Sequence, residues 1–382
     1  TVNIGAAVTI SESGIEATGV GITVANINGT QIGGRRNLIM NGAMNVAQRS
    51  TSETGLGASA GYFTLDRYRT TFSNTTGRLT MAQVADVHDG FANAMKFTCT
   101  TADTSIASDE YFILQHKFEG QDVQLLKKGS SDAEEFTVSF YVKGNASATY
   151  VVEMYDLDNN RQVGKTFSVT TSWTRVVLTF PADTTGAFDD DNAASLQLGI
   201  WLHAGSNYTS GTLATSWVSN VSAQRAGGIT SFFDSTDRTF FLTGLQLEVG
   251  SQATPFEHRS YQEELHLCKR YYQQYPEGPH ADNYICVPSA IMACNNTTTA
   301  YYCPTLNPTM RSSPSFSTSG NFRMNGTASV NNVAVTGIGV YHNGAATPFQ
   351  YATVASGLTA GQAVALSVNN DATAYIAYSS EL

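Results

Sequence analysis

At 382 residues the chain is longer than one hydrophobic core usually organises, and its formal net charge of −10 repels phosphate backbones and anionic lipid headgroups. Charged residues make up only 14%, against roughly a quarter in an average soluble protein, while the 42% of hydrophobic residues are broken too often to give an apolar run of membrane-spanning length. Two or three domains are expected, without nucleic-acid binding and without membrane insertion.

Residues 1–35 hold very short β-branched stretches such as Val20, Ile22 and Val24, separated by Gly, Ala and Asn. A segment this short cannot bury enough surface alone. It is expected to pack on copies of itself around an axis, as an oligomerising and attachment segment; a loose N-terminal arm is the competing reading. No basic n-region followed by an apolar h-region opens the chain, so export by the ordinary secretory route is not expected.

Over residues 36–258 the pattern changes to repeated period-2 alternation, the mark of strands with one face buried. Phe136, Val138, Phe140 and Val142 alternate with Thr137, Ser139, Tyr141 and Lys143; Val176, Leu178 and Phe180 follow the same rule. Leu196, Leu198, Ile200 and Leu202 alternate with Gln197, Gly199, Trp201 and His203, and Thr243, Leu245, Leu247 and Val249 with Gly244, Gln246 and Glu248. Many brief strands with turn residues between them predict an all-β fold, an antiparallel jelly-roll β-sandwich.

Residues 259–276 break that pattern. Leu265, Cys268 and Tyr272 fall at i, i+3 and i+7, with acids early and bases late, Ser260 as N-cap, Glu263 at the capping-box position and Pro276 as the stop. One linking helix from Tyr261 to Tyr275 is predicted. Residues 277–382 return to β-like runs and are expected to form a smaller C-terminal β tip domain.

Catalytic patterns are scarce. The chain has no H-E-x-x-H, no Walker loop and no nucleophile elbow, and its seven histidines are scattered. The five cysteines, Cys99, Cys268, Cys286, Cys294 and Cys303, form no C-x-x-C pair, and read as buried thiols, with a pairing among the last three as the alternative. Asp156-Leu157-Asp158-Asn159-Asn160 opens like a calcium loop, but Arg161 stands where glycine is needed, and a hairpin turn explains the same residues. No cofactor is called for; a structural calcium ion, were one held, would sit at Asp189, Asp190 and Asp191, a run that otherwise reads as a solvated loop.

Glycan recognition needs aromatic platforms flanked by hydrogen-bonding groups, because sugar rings present apolar C–H faces and polar edges. Trp201, His203, Asn207, Tyr208 and Trp217 offer such a set, with Trp201 on the strand face opposite Leu198 and Ile200; ordinary aromatic packing fits them equally. In the last domain Tyr284, Tyr301, Tyr302, Tyr341 and His342 are further candidates.

Arg36-Asn37-Leu38-Ile39-Met40-Asn41-Gly42-Ala43-Met44, Gln48-Arg49 and Asp66-Arg67 carry a resemblance, as does the block from Leu242-Thr243-Gly244-Leu245 through Ala253-Thr254-Pro255-Phe256-Glu257-His258-Arg259-Ser260-Tyr261 to Cys268-Lys269-Arg270-Tyr271-Tyr272. This sequence resembles phage tail-fibre-like proteins, and the intervening sandwich, with Ser172-Trp173-Thr174-Arg175, is similar to carbohydrate-binding-module jelly rolls. The resemblance implies a non-enzymatic exterior virion protein, assembled in the bacterial cytoplasm. It would be a homo-oligomer, commonly a trimer, joined to other tail proteins through its N-terminal segment and attached to a host-surface glycan or envelope receptor. The other classes it leaves open are a virion-associated glycan depolymerase, for which Glu153, Asp189 and Asp191 are the acids to test, and a purely architectural virion component.

Overall fold

A computed structural model describes residues 8–11, 14–17, 26–27, 30–31, 35–277, 285–326 and 330–382 of the chain. Every strand pairing among them is antiparallel. In the first 35 residues two small hairpins are described, β1 (Val8–Ser11) with β2 (Gly14–Ala17) and β3 (Asn26–Ile27) with β4 (Thr30–Gln31). The rest of the expected oligomerising segment lies outside the described residues.

Two six-stranded sheets form the sandwich. The first contains β5 (Ser52–Leu56), β7 (Arg78–Val84), β8 (Ala94–Thr101), β10 (Phe136–Gly144), β13 (Thr174–Phe180) and β16 (Thr239–Val249), in the order β13-β10-β16-β8-β7-β5. The second contains β6 (Arg69–Ser73), β9 (Tyr111–Glu119), β11 (Ala148–Asp156), β12 (Arg161–Val169), β14 (Ala194–Ala204) and β15 (Val218–Ser219), in the order β15-β12-β11-β14-β9-β6. The chain crosses repeatedly between the sheets, which is the jelly-roll wrapping. Alternate residues meet between them: Phe97 of the first sheet meets Phe112 of the second edge-on at 5.3 Å between ring centroids, and Phe112 stacks on its cross-strand partner Phe72 at 4.7 Å, in a core that includes Phe140, Phe180, Leu198 and Leu247. Each such side chain contributes about 1.5–3 kcal/mol by leaving water.

Two details depart from simple alternation. In β16 a bulge opposite Phe140, at Gly244 with φ of +62°, lets Phe240 and Leu242 and then Leu245 and Leu247 all face the core. Thr243, expected on the same face as Leu245, instead donates to the Asn93 carbonyl at 2.8 Å. In β14 both faces are buried. The face expected to be wet is covered by the segment that follows it, whose helical turn α1 (Ser206–Thr209) and residues Leu213, Ala226 and Ile229 pack on Ile113, Val151 and Trp201.

The helix is 9 residues long and ends six residues before the expected Tyr275. Ser260 Oγ accepts from the Glu263 N–H as predicted, but α2 (Tyr261–Lys269) stops at Lys269, because the next residues become β17 (Tyr272–Tyr275) and pair with β25 (Tyr375–Ser379). With β20 (Ser315–Ser319) these form a three-stranded sheet, β17-β25-β20. It packs on a closed barrel of β18 (Cys286–Cys294), β19 (Thr299–Tyr302), β23 (Phe349–Val354), β22 (Val333–His342), β21 (Phe322–Asn325) and β24 (Ala363–Val368), named in spatial order. All five cysteines are free thiols; Cys99, Cys268 and Cys294 are buried as expected, whereas Cys286 and Cys303 are exposed.

Buried polar groups fasten the sandwich to α2 and the barrel. Arg67, fully buried, donates to Glu381 at 2.6 Å and to the Lys117 carbonyl at 2.7 Å while its guanidinium lies 3.5 Å from the Tyr271 ring centre. Arg49 bridges Asp66 and Glu381 and covers Tyr272 at 3.6 Å. Glu264 of α2 accepts from the Asn41 N–H at 2.6 Å, and Glu257 accepts from the N–H groups of Arg36 and Asn37.

Candidate functional site

The aromatic residues singled out in the sandwich do not form one exposed face. Trp201 is 0% exposed: its indole N–H donates to Glu153 at 2.9 Å, Arg225 lies 4.9 Å from its ring centre, and Tyr208 and Tyr111 pack against it. Arg225 in turn chelates Glu153 with two bonds of 2.7 Å. The alternation gave Trp201 the correct face but not the layer of chain 205–229 that covers it. His203 is also 0% exposed, held between Ser231 Oγ at 2.8 Å and Glu110 Oε2 at 3.3 Å; desolvation holds its imidazole below the ordinary range, so it is neutral. Asn207 is exposed and Tyr208 half-buried beside the Trp201 cluster. Trp217 belongs to a different cluster, against Phe136 and under Lys128, with its N–H on the Pro181 carbonyl at 2.9 Å.

Asp189, Asp190 and Asp191 do not converge either. All three are exposed, and the loop is held by its backbone: Asp189 O accepts from Gln124 and Asp191 O from the Gln121 N–H. Among the described residues, the one set of three potential ligands within 4.8 Å of one another is Asp103, Glu110 and His203. The calcium-like run at Asp156–Asn160 is the β11–β12 turn, in which Asp156 Oδ1 accepts from the Asn159 N–H at 3.0 Å.

The barrel does assemble an aromatic surface. Tyr301 on β19 sits in register with Tyr351 on β23, and Tyr351 with Gly339 on β22, so the three positions form a row across adjacent strands. A Cβ at Gly339 would lie 2.5 Å from Tyr351 Cζ and Oη; glycine there makes the space into which that ring lies across the neighbouring strand. Tyr341, 51% exposed, stands over this row with ring centroids 4.7 Å from Tyr351, 5.5 Å from Tyr301 and 5.6 Å from Phe349, on which it stacks. The Tyr301 and Tyr341 hydroxyls meet at 3.4 Å, a contact that raises the Tyr341 pKa, and Asn295 reaches Tyr301 Oη at 3.3 Å. His342 is exposed next to Tyr341. Tyr302, its side chain on the inner face, is a core residue, and Tyr284 lies outside the described residues.

Sequence reasoning found Tyr301 and Tyr341 but missed Phe349 and Tyr351, whose Phe-Gln-Tyr alternation around the buried Gln350 was the available signal. It also missed a groove of about 480 Å³ between sandwich and barrel, lined by Arg49, Glu53, Tyr62, Phe63, Tyr272 and Tyr375 among others.

No family model matches the chain, and no curated protein matches it. Solved structures do. One described as CBM4 is 13% identical over 55% of this chain and 97% of its own, with a TM-score of 0.29. The enzymatically active domain of tailspike protein 4 of bacteriophage CBA120 is 10% identical over 56% of this chain and 21% of its own, at 0.31. A family 11 carbohydrate-binding module of a Clostridium thermocellum cellulosomal cellulase is 12% identical over 55% of this chain and 99% of its own, at 0.26. TM-scores this low carry no argument, and the all-β jelly-roll architecture stands on the sheet order and strand pairings given above.

Proposed function

We propose that the chain is an exterior attachment protein of a bacteriophage, of the tail-fibre kind, that works as a homo-oligomer, most simply a trimer, and holds a host-surface glycan without cleaving it. One observation carries the glycan reading: Tyr341 is half exposed over Tyr301, Phe349 and Tyr351, so four rings gather on one face of the barrel with the Asn295 amide beside them. An aromatic face of this kind stacks on the C–H face of a sugar while the hydroxyls and amide take up its edge. The virion assignment is supported by the sequence signature, whose residues Asn37, Arg49, Arg67, Glu257, Glu264, Arg270 and Tyr271 build the joint between sandwich, helix and barrel. Binding without hydrolysis is supported by Glu153, an acid named for a depolymerase, which is sealed under Arg225 and cannot approach a sugar.

The test is binding of host envelope polysaccharide to the full chain by calorimetry. Tyr341→Ala is expected to weaken it about 10-fold or more, the range of a central aromatic contact, with the melting temperature unchanged. Equal affinity of wild type and variant removes the platform; release of reducing ends from the polysaccharide overturns the non-enzymatic reading; a monomer in light scattering at micromolar concentration overturns the fibre reading.

A further inference from the structure

We propose that Asp103, Glu110 and His203 form a binding site for one divalent transition-metal ion, of the Zn2+ or Mn2+ class, which staples the β8–β9 connection to β14. Three features of the cluster lead there.

The first is geometry. One ligand atom from each residue lies within 4.8 Å of the others, the spacing an ion at ordinary bond lengths draws in. The three come from separate elements: Asp103 follows β8, Glu110 precedes β9 and His203 is near the end of β14.

The second is charge. Asp103 and Glu110 are only 3% and 4% exposed, and no Lys or Arg among the described residues forms an ion pair with either. Glu110 faces His203 alone. Asp156 and Asp183 share Lys128, Glu153 has Arg225 and Glu119 has Arg270, while Glu248, which forms no ion pair, is met by hydrogen bonds from Gln246 and Thr254. A divalent cation between Asp103 and Glu110 supplies the opposite charge that neither receives from a Lys or Arg among the described residues.

The third is preorganisation. Asp103 Oδ2 accepts from Thr75 Oγ1 at 2.8 Å, the Thr76 N–H at 2.7 Å and the Gly77 N–H at 3.3 Å, which fixes the carboxylate. Ser231 Oγ lies 2.8 Å from His203 Nδ1 and Glu110 Oε2 lies 3.3 Å from Nε2; with an ion in place of the Nε2 proton, the remaining proton sits on Nδ1 and Ser231 accepts it. Ser231 is itself held as the cap of a short helical turn, where it accepts from the Phe233 N–H. One imidazole with two carboxylates suits Zn2+ or Mn2+; Ca2+ prefers oxygen ligands throughout and more of them.

The experiment uses the full chain, stripped with a chelator and titrated with ZnCl2 or MnCl2 by calorimetry, with a thermal melt of each sample. One ion per chain and a raised melting temperature are expected for wild type. Glu110→Gln, which keeps the shape and a contact to His203, and Asp103→Asn are each expected to weaken binding at least about 10-fold, and Ser231→Ala to weaken it about 10-fold with the 1:1 ratio kept. Since Asp103→Asn also disturbs the Thr75–Gly77 turn, Glu110→Gln decides if that variant fails to fold. Failure of stripped wild type to bind either ion, or undiminished binding by Glu110→Gln, overturns the site. Neither result touches the barrel platform, whose affinity for glycan is read separately.

Discussion

Glu119, at the end of β9, receives both the Nε–H and an Nη2–H of Arg270, at 2.8 and 2.7 Å, across the boundary between the sandwich and the C-cap of α2. Tyr271 Oη at 2.5 Å and Gln121 Nε2 at 2.6 Å complete the carboxylate's shell. Burial alone would raise the Glu119 pKa; the Arg270 and Tyr271 hydrogen bonds outweigh it and hold the carboxyl below its ordinary range. Arg270→Met leaves this acid buried and uncompensated, and is expected to cost about 3 kcal/mol. The loss should appear as earlier proteolysis between sandwich and barrel and as a lower urea midpoint. An unchanged midpoint would mean that the pair does not fasten the joint.

Trp201→Ala should act on stability alone. Emptying its site between Tyr111, Tyr208 and Arg225 is expected to cost about 3–5 kcal/mol, while the glycan affinity of the folded protein stays at the wild-type value. Denaturant melts and calorimetry on the same preparation separate the two. Loss of affinity with intact stability would return Trp201 to the binding surface.

Gly42 is in close contact with β16. A Cβ there would sit 2.2 Å from the Leu245 carbonyl oxygen, a backbone atom fixed by the bulge, while Gly42 itself accepts the Leu245 N–H at 2.9 Å. Gly42→Ala is expected to destabilise by about 1–3 kcal/mol, as overpacking does. A thermal melt within error of wild type would show that the 37–44 segment shifts freely.

Asp66 gives the sandwich a pH dependence of its own. Burial pushes its carboxyl from 3.8 up to about 6, with Arg49 and Gln48 pulling the other way. Between those values the folded chain keeps the proton that the unfolded chain has released, so this group's contribution to stability falls as pH rises through the window. Relative to Asp66→Asn, which does not titrate, wild type should lose up to about 3 kcal/mol from the lower limit to the upper. Parallel pH profiles of the two proteins in urea melts would contradict it.

Alternation made the strands legible wherever one sheet face met the core, as in Phe136–Val142. It could not tell water from a second layer of chain. The segment that covers Trp201 is rich in Gly, Ser and Asn, and its few apolar contacts, Leu213, Ala226 and Ile229, have no regular spacing. The early end of α2 was hidden for another reason: Tyr272 follows the helical period, but its backbone pairs with Ser379, more than 100 residues away. Distance in sequence also separates the halves of the barrel surface, so Tyr301 and Tyr341 were visible as tyrosines, whereas their neighbourhood with Phe349 and Tyr351 exists only after β19, β22 and β23 have paired.

The pairing of β17 with β25 fixes how the barrel is mounted. Tyr272, at the start of that unit, and Ser379, near the other end of its chain, are partners on one rung of a single ladder. Loops between the barrel strands can therefore lengthen, shrink or change chemistry while the stem they grow from keeps its position, which makes the unit an exchangeable head on a fixed neck.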